Sequence, residues 1–241
     1  TGWAWAFDTP FPYWKRWAGE EGGTADMCLV SWPAQIKPDA TPRQQYIHAA
    51  DIVPTVYELL GIEPPEVING YRQSAIEGES FAAALTDPGV PGKSTQFYTM
   101  LGQRSIYHEG WLASTVHPPL SGWGNFAADE WELFHLEVDR SQTKNVATDN
   151  PERLQQLKDL WFYYAGIYKG LPLDDRSAIE QVLAERPKGS PDRDQYIFYP
   201  DCADVPESAG PSVPGRSYKI AAGITVESDD VQGVIWAAGG V

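Results

Sequence analysis

Three short runs, residues 96–101, 104–108 and 111–116, most constrain how this chain can fold. Glu109-Gly110 stands between the last two as a tight turn, so the runs read as adjacent antiparallel strands. Trp131-Glu132-Leu133-Phe134-His135-Leu136 alternates apolar and polar residues and adds one more half-buried strand. A small antiparallel sheet of this kind needs an apolar layer against it, and the following residues supply one. Asp149 or Asn150 caps a helix that has Pro151 at its first position. Leu154, Leu157, Leu160 or Trp161, Tyr164 and Tyr168 recur along it at helical spacing, the pattern of a core-facing side rather than a ligand site. A second helix is expected over residues 177–185.

Earlier in the chain, residues 27–32 read as a buried strand that stops at Pro33, with Cys28 as a buried strand thiol. Asp51 then caps a helix running to Leu60. Pro54 is tolerable in its first turn, and Gly61 suits the position just past its end. A polar loop leads to about Ser80, and Phe81-Ala82-Ala83-Ala84-Leu85 reads as a short helix.

The composition changes at Arg186-Pro187-Lys188-Gly189-Ser190-Pro191, and Pro, Gly, Ser and Asp dominate as far as Pro214. This divides the chain into a domain over 1–186, a linker over 187–214 and a third segment over 215–241. In that last segment, residues 217–226 and 231–237 read as strands around the polar turn 227–230. Two strands alone are marginal in water, so both chain termini are expected to be cut.

With 33 acidic against 18 basic side chains the formal charge is −15, which argues against a general binder of nucleic acid or of anionic membrane surfaces. It leaves room for an anionic small substrate, since one focused lysine pocket overrides the average field. No apolar run approaches the roughly 18 residues of a membrane-spanning helix. Two cysteines, Cys28 and Cys202, make no disulfide framework.

Lys15 is the leading candidate for chemistry. It follows Thr9-Pro10-Phe11-Pro12-Tyr13-Trp14, where two prolines stiffen the backbone and three aromatics can restrict the lysine's rotamers. A lysine is a compact point charge, suited to the oxygens of an anionic ester in its transition state. A solvated surface lysine beside Arg16 is the plain alternative. Glu20 and Glu21 read as paired carboxylates for acid/base work or as part of a turn with Gly22-Gly23. Of the four histidines, His117, before Pro118-Pro119, is placed to line a substrate pocket; His48 packs or caps, His108 sits at a hairpin turn, and His135 on a strand. None pairs at metal-ligand spacing, so no metal ligand is assigned. Asp174-Asp175 precedes a helix, and a cap at Asp175 or Ser177 explains it as well as a metal does.

The lysine stretch with Glu21-Gly22-Gly23 closely resembles the sulfatases, in which a lysine after Thr-Pro-Phe reaches the substrate's sulfate group. Further motifs follow in the family's order. They are Ser31-Trp32-Pro33 with Ile36, Asp51-Ile52-Val53-Pro54-Thr55, and Asn69-Gly70 with Ile76-Glu77-Gly78-Glu79-Ser80. After them come Arg104-Ser105-Ile106-Tyr107 with Gly110-Trp111, Trp131-Glu132-Leu133-Phe134, and Leu171-Pro172-Leu173-Asp174-Asp175-Arg176. His135 and Arg140 stand where Asp and Pro are commoner, and Lys15 precedes Glu21 by six residues where five is usual.

The resemblance implies an α/β fold: the C-terminal part of an alkaline-phosphatase-like sulfatase domain, followed by the start of a β-sandwich extension. It implies sulfuric ester hydrolysis of arylsulfatase type on a small sulfate ester. A formylglycine hydrate would be the nucleophile and Ca2+ or Mg2+ would bind the sulfate, with the nucleophile and metal ligands upstream. Neither cysteine sits in the Cys-x-Pro-x-Arg setting of formylglycine, so this segment alone is expected to be inactive. Two alternatives stay open: a phosphonate monoester or phosphodiester hydrolase of the same superfamily, and a non-catalytic carbohydrate-binding piece that uses some of the ten tryptophans.

Overall fold

The computed structural model describes residues 2–15, 17–115, 117, 126–174, 176, 178–185, 191, 193–200, 202, 205, 210–213, 215–226 and 228–235. The chain divides into two compact units, Thr1–Leu183 and Ala184–Val241.

The centre of the first unit is a four-stranded antiparallel sheet in simple sequence order: β3 (Thr95–Met100), β4 (Gln103–His108), β5 (Trp111–Thr115) and β6 (Trp131–His135). Glu109 and Gly110 both take positive φ, 48° and 80°, the backbone a two-residue hairpin needs to match strand twist. The register pairs Phe97 with Ile106, Ile106 with Ala113, and Ala113 with Leu133, which puts these residues on one face. Helix α4 (Pro151–Ile167) covers that face with Leu157, Trp161 and Ala165, all fully buried. The ambiguity between Leu160 and Trp161 resolves to Trp161, whose indole N–H donates to Tyr98 O at 3.0 Å. That bond satisfies the one polar atom that burying tryptophan brings into the core.

Asn150 occupies the position before α4, but its side chain donates back to Val146 O at 3.0 Å instead of capping the helix. Helix α3 (Ile52–Leu60) ends on Gly61 at φ 63°, as the sequence indicates. Its start differs. A turn of 3-10 helix over Ala49–Asp51 precedes it, and His48 is the cap: its ring accepts from Ala50 N at 3.1 Å while Asp51 Oδ2 accepts from His48 N at 2.8 Å. The expected helix at 81–85 is a 3-10 turn, Ala82–Leu85.

Several elements depart from expectation. Two short helices, α1 (Gly2–Asp8) and α2 (Glu21–Thr24), lie where no helix is foreseen, and a two-residue hairpin pairs β1 (Val67–Ile68) with β2 (Tyr71–Arg72) around Asn69-Gly70. The strand expected at 27–32 does not form. Met27 and Leu29 are almost wholly exposed and Cys28 is exposed, not buried. An apolar run becomes a strand only beside a partner, and no described strand pairs with this one.

Helix α5 (Ala178–Leu183) is shorter than the 177–185 expected; Asp175 and Ser177, the cap candidates, lie outside the described residues. In the second unit the described residues contain no helix or strand. The strands expected at 217–226 and 231–237 are absent from those residues, which are exposed, while residues 236 and 237 lie outside them. An isolated hairpin buries too little to offset its own ordering. No described helix is long and apolar enough to cross a membrane.

Candidate functional site

The stretch carrying Lys15 is built as a brace. Phe11 N donates to Asp8 O at 3.0 Å, so the end of α1 passes directly into the Thr-Pro-Phe turn. Lys15 then stands on a four-residue turn closed by Trp17 N donating to Trp14 O at 3.2 Å. The rings of Tyr13 and Trp17 pack together with centroids 4.3 Å apart. Lys15 itself is exposed to solvent, and Arg16 lies outside the described residues.

Glu21-Gly22-Gly23 is one turn of helix pressed against this brace, and no strand follows it. A Cβ on Gly22 would fall 1.9 Å from Tyr13 O and 2.6 Å from Phe11 Cβ; one on Gly23 would fall 2.2 Å from Trp17 O. The glycines are therefore contact surfaces: backbone packs on backbone with no room for a methyl group. Gly22→Ala is expected to push the 11–14 segment off α2, at a cost of roughly 1–3 kcal/mol from overpacking. Urea unfolding would measure the loss, and an unchanged midpoint would show that the close packing is not needed.

Glu20 and Glu21 do not act as a matched pair. Glu21 turns to Arg140, whose Nε lies 3.3 Å from Glu21 Oε2; burial raises its carboxyl pKa and Arg140 opposes the rise. Glu20 is 3% exposed, and its Oε2 has no hydrogen-bond partner among the described residues. Burial, reinforced by the charge of Glu132, pushes this carboxyl up to about 8. The side chain is mainly neutral at pH 7, and the Glu20 backbone N–H donates to Trp17 O at 3.2 Å. The same burial, with Glu20 and then Glu132, raises Tyr13.

His117 does not open to a pocket. It is 1% exposed, its ring stacks on Phe126 at 5.0 Å, and Gly102 closes over it: a Cβ there would meet His117 Nε2 at 2.9 Å. Its Nδ1 lies 2.8 Å from Asp129 Oδ1, and Arg104 Nη2 donates to Asp129 Oδ2 at 2.6 Å. The Arg104 guanidinium also lies over Trp131, 5.2 Å from the ring centroid. Arginine, carboxylate and histidine thus form a buried ionic cluster on the sheet. Lys15 and His117, named together as substrate contacts from sequence, occupy different settings: one exposed on a turn, one sealed in the core. A surface cleft of about 540 Å3 between residues 39–45 and 88–92 includes neither.

The remaining histidines are structural. His48 caps, His108 Nδ1 lies 2.7 Å from Thr95 Oγ1, and His135 stacks on Trp111 at 4.3 Å. Asp174 is exposed and held by Arg176, which donates to it from Nε at 2.9 Å and from Nη2 at 2.6 Å; these bonds pull its carboxyl down to about 2. Among the described residues, no group of three or more His, Cys, Asp and Glu gathers to hold a metal ion.

The sequence marks Asp51 as a helix cap and does not reveal its contacts with the 79–81 loop and Lys93. Asp51 serves three donors at once: His48 N, Glu79 N at 2.8 Å and Lys93 Nζ at 2.6 Å. Thr55 Oγ1 donates to Asp51 O at 2.6 Å and accepts from Phe81 N at 3.0 Å. The Asp-Ile-x-Pro-Thr motif is therefore a helix start that pins the 79–81 loop. Also unforeseen is Ser212-Val213-Pro214-Gly215-Arg216, which has the serine form of the nucleophile spacing. Ser212 is exposed, in a stretch without helix or strand.

No family model matches the sequence. It is 27% identical over 147 residues to an uncharacterized sulfatase of Schizosaccharomyces pombe, covering 60% of this chain and 25% of that protein. It is 24% identical over 148 residues to a sulfatase of Formosa agariphila, covering 58% and 25%. The chain thus spans about a quarter of the length of these curated relatives. A solved structure described under the metabolism of multiple glycosaminoglycans by Bacteroides thetaiotaomicron (BT33336S-sulf) superposes with a TM-score of 0.50 at 22% identity, over 61% of this chain and 30% of that one, a likeness of fold. The ordered motifs, the sheet with its covering helix and these relatives agree that the chain is a sulfatase homologue corresponding to a C-terminal portion of the α/β sulfatase fold.

Proposed function

We propose that this chain is the part of an arylsulfatase-type sulfuric ester hydrolase that presents Lys15 to the sulfate group of a small sulfate ester. The observation that supports this reading is the brace itself. An exposed ammonium group stands on a turn whose backbone is packed against Gly22 and Gly23, with no room for a side chain between. A cation held this way is set before charge moves to the sulfuryl oxygens, so little reorganisation accompanies the reaction. With a formal charge of −15 the chain as a whole repels an anionic ester, which makes a local cation all the more necessary.

When bound, a calcium or magnesium ion supplies Lewis-acid polarisation of the sulfuryl oxygens, and a formylglycine supplies the nucleophile. The described residues do not make that metal site.

The test uses the whole polypeptide that carries this segment, assayed on an aryl sulfate and on an aryl phosphonate monoester. Lys15→Ala is expected to lower kcat on the sulfate about 10²–10³-fold, the usual loss for one transition-state donor. Unchanged turnover would remove Lys15 from the mechanism, and preference for the phosphonate would reassign the ester class. The 241-residue chain alone is expected to release no sulfate. Release abolished by Ser212→Ala would instead make Ser212 the nucleophile.

A further inference from the structure

The segment Ala18–Glu21 joins the Lys15 turn to α2. It crosses the face of the sheet opposite α4 in an irregular conformation, so no strand ladder satisfies its backbone. Yet its residues are buried: Ala18 is 9% exposed, Glu20 3% and Glu21 6%. Buried backbone groups need partners. Glu20 N donates to Trp17 O at 3.2 Å and Glu20 O accepts from Gly23 N at 2.9 Å, while side chains serve Ala18, Gly19 O and Glu21 N. Ala18 N donates to Gln103 Oε1 at 2.7 Å, and Ser105 Oγ donates to Ala18 O at 2.5 Å. Gln142 Nε2 donates to Gly19 O at 3.0 Å, and Glu21 N donates to Gln142 Oε1 at 2.6 Å.

Each glutamine is used at both ends. Gln103 Nε2 donates to His117 O at 3.2 Å, which ties the segment to the Arg104–Asp129–His117 cluster. Gln103 is fully buried and Gln142 is 5% exposed. Gln142 also holds a left-handed backbone at φ 54°, a conformation that costs a non-glycine residue on the order of 1 kcal/mol. Two buried amides with all four bonds aimed at, or anchored for, one stretch of backbone do more than fill space. A leucine or methionine would fill the same volume without specifying where that backbone lies.

We propose that Gln103 and Gln142 are positioning residues that set the register of the Lys15 turn on the sheet. They act through Ala18, Gly19 and Glu21, and do not touch substrate. The role deepens, and rests on, the reading of Lys15 as the sulfate-contacting lysine. It bears on the stretch between Lys15 and the Glu-Gly-Gly helix. That stretch is held along its length, first by the turn that the Trp14–Trp17 bond closes and then by the pegs from Ala18 onward. Lys15 therefore keeps one position, where an unpegged loop of that length would drift.

A carboxylic acid tests this better than a truncation. Protonated, Gln103→Glu accepts from Ala18 N and donates to His117 O just as the amide does. Ionised, it faces His117 O with no proton to donate. Isotope-labelled 241-residue chain would be followed by NMR at a series of pH values, reading amide-exchange protection at Ala18 and the side-chain Cε resonance of Lys15. In Gln103→Glu, both are expected to match wild type at acidic pH. As the carboxyl ionises, Ala18 protection should fall about tenfold, the worth of one hydrogen bond, and the Lys15 resonance should move with it. Gln103→Met and Gln142→Met should show the displaced Lys15 resonance at every pH, while the Trp161 indole signal reports an intact core.

A Lys15 resonance that stays at its wild-type position in ionised Gln103→Glu and in both methionine variants would overturn the proposal. Turnover by the whole polypeptide separates this from the underlying reading. If Lys15→Ala leaves turnover unchanged, the sulfate-contact role fails, whatever the loop does. If Lys15→Ala abolishes turnover while methionine variants with a displaced Lys15 keep wild-type kcat, positioning has no catalytic consequence and the proposal fails alone.

Discussion

Asp129→Ala is expected to destabilise the first unit by roughly 3–5 kcal/mol, the cost of breaking a buried ion pair from one side. The carboxylate has two partners, and both are sealed. Arg104 and His117 are 5% and 1% exposed, and both approach Asp129 within 3 Å. A guanidinium cannot shed its proton to escape burial, so without Asp129 it keeps, among the described residues, the Phe126 carbonyl at 3.3 Å and the faces of Phe126 and Trp131. His117 loses the group that fixes its ring. Water or backbone movement must then reach a cluster that borders β4, β5 and the Gly102 turn. The double replacement Arg104→Met with Asp129→Leu should recover most of the loss, because two apolar groups leave no charge stranded. Urea unfolding of both variants decides the point. A loss below about 1 kcal/mol in Asp129→Ala would mean that the pair is solvated and behaves as a surface bridge.

The sheet and its covering helix were legible because each rests on local pattern. Glu109-Gly110 specifies a hairpin by backbone preference alone, and the stripe through Leu157 and Trp161 has one face to bury. The failures share a different cause. The run Met27-Cys28-Leu29-Val30 has the composition of a buried strand, but pairing depends on a neighbour that composition does not reveal. Residues 217–226 fail for the same reason. Asn69-Gly70 carries a hairpin signal as strong as Glu109-Gly110, yet its strands are two exposed residues each, with no alternation to read.

At the site, Lys15 was found because a proline-stiffened turn ending in lysine is a local feature. Gln103, Gln142 and Asp129 were invisible for the opposite reason. Their partners are 85, 121 and 25 residues away in sequence, and a buried glutamine looks like any surface glutamine until its neighbours are known. His117 misled because a histidine before two prolines suggests an open loop, whereas it lies two residues past the end of β5 and is buried.

The second large effect is a dependence of stability on pH that runs opposite to ordinary acid denaturation. Glu20 has a carboxyl raised from 4.5 to about 8 in the folded chain, first by burial and then by the charge of Glu132. The raised value means that the folded state binds this proton more tightly than the unfolded chain does. Its contribution is therefore fully present below about pH 4.5 and is lost progressively as pH rises through about 8. At about 1.4 kcal/mol per pH unit, the loss across that window amounts to several kcal/mol.

The groups facing Glu20 make it worse above pH 8. Glu132 on β6 is already acidic, and Tyr13 brings no positive charge. Ser114, opposite Glu132 in the sheet and packed under Gly19, has no partner for its Oγ among the described residues. No cation is close enough to replace the lost proton among the groups that shift this carboxyl. Glu20→Gln keeps the shape and removes the ionisation, so its stability should match wild type near pH 5 and exceed it by several kcal/mol at pH 9. Denaturant midpoints for the two proteins across this range would show converging curves at acid pH and diverging ones at alkaline pH. Parallel curves would mean that Glu20 is ionised and solvated at neutral pH.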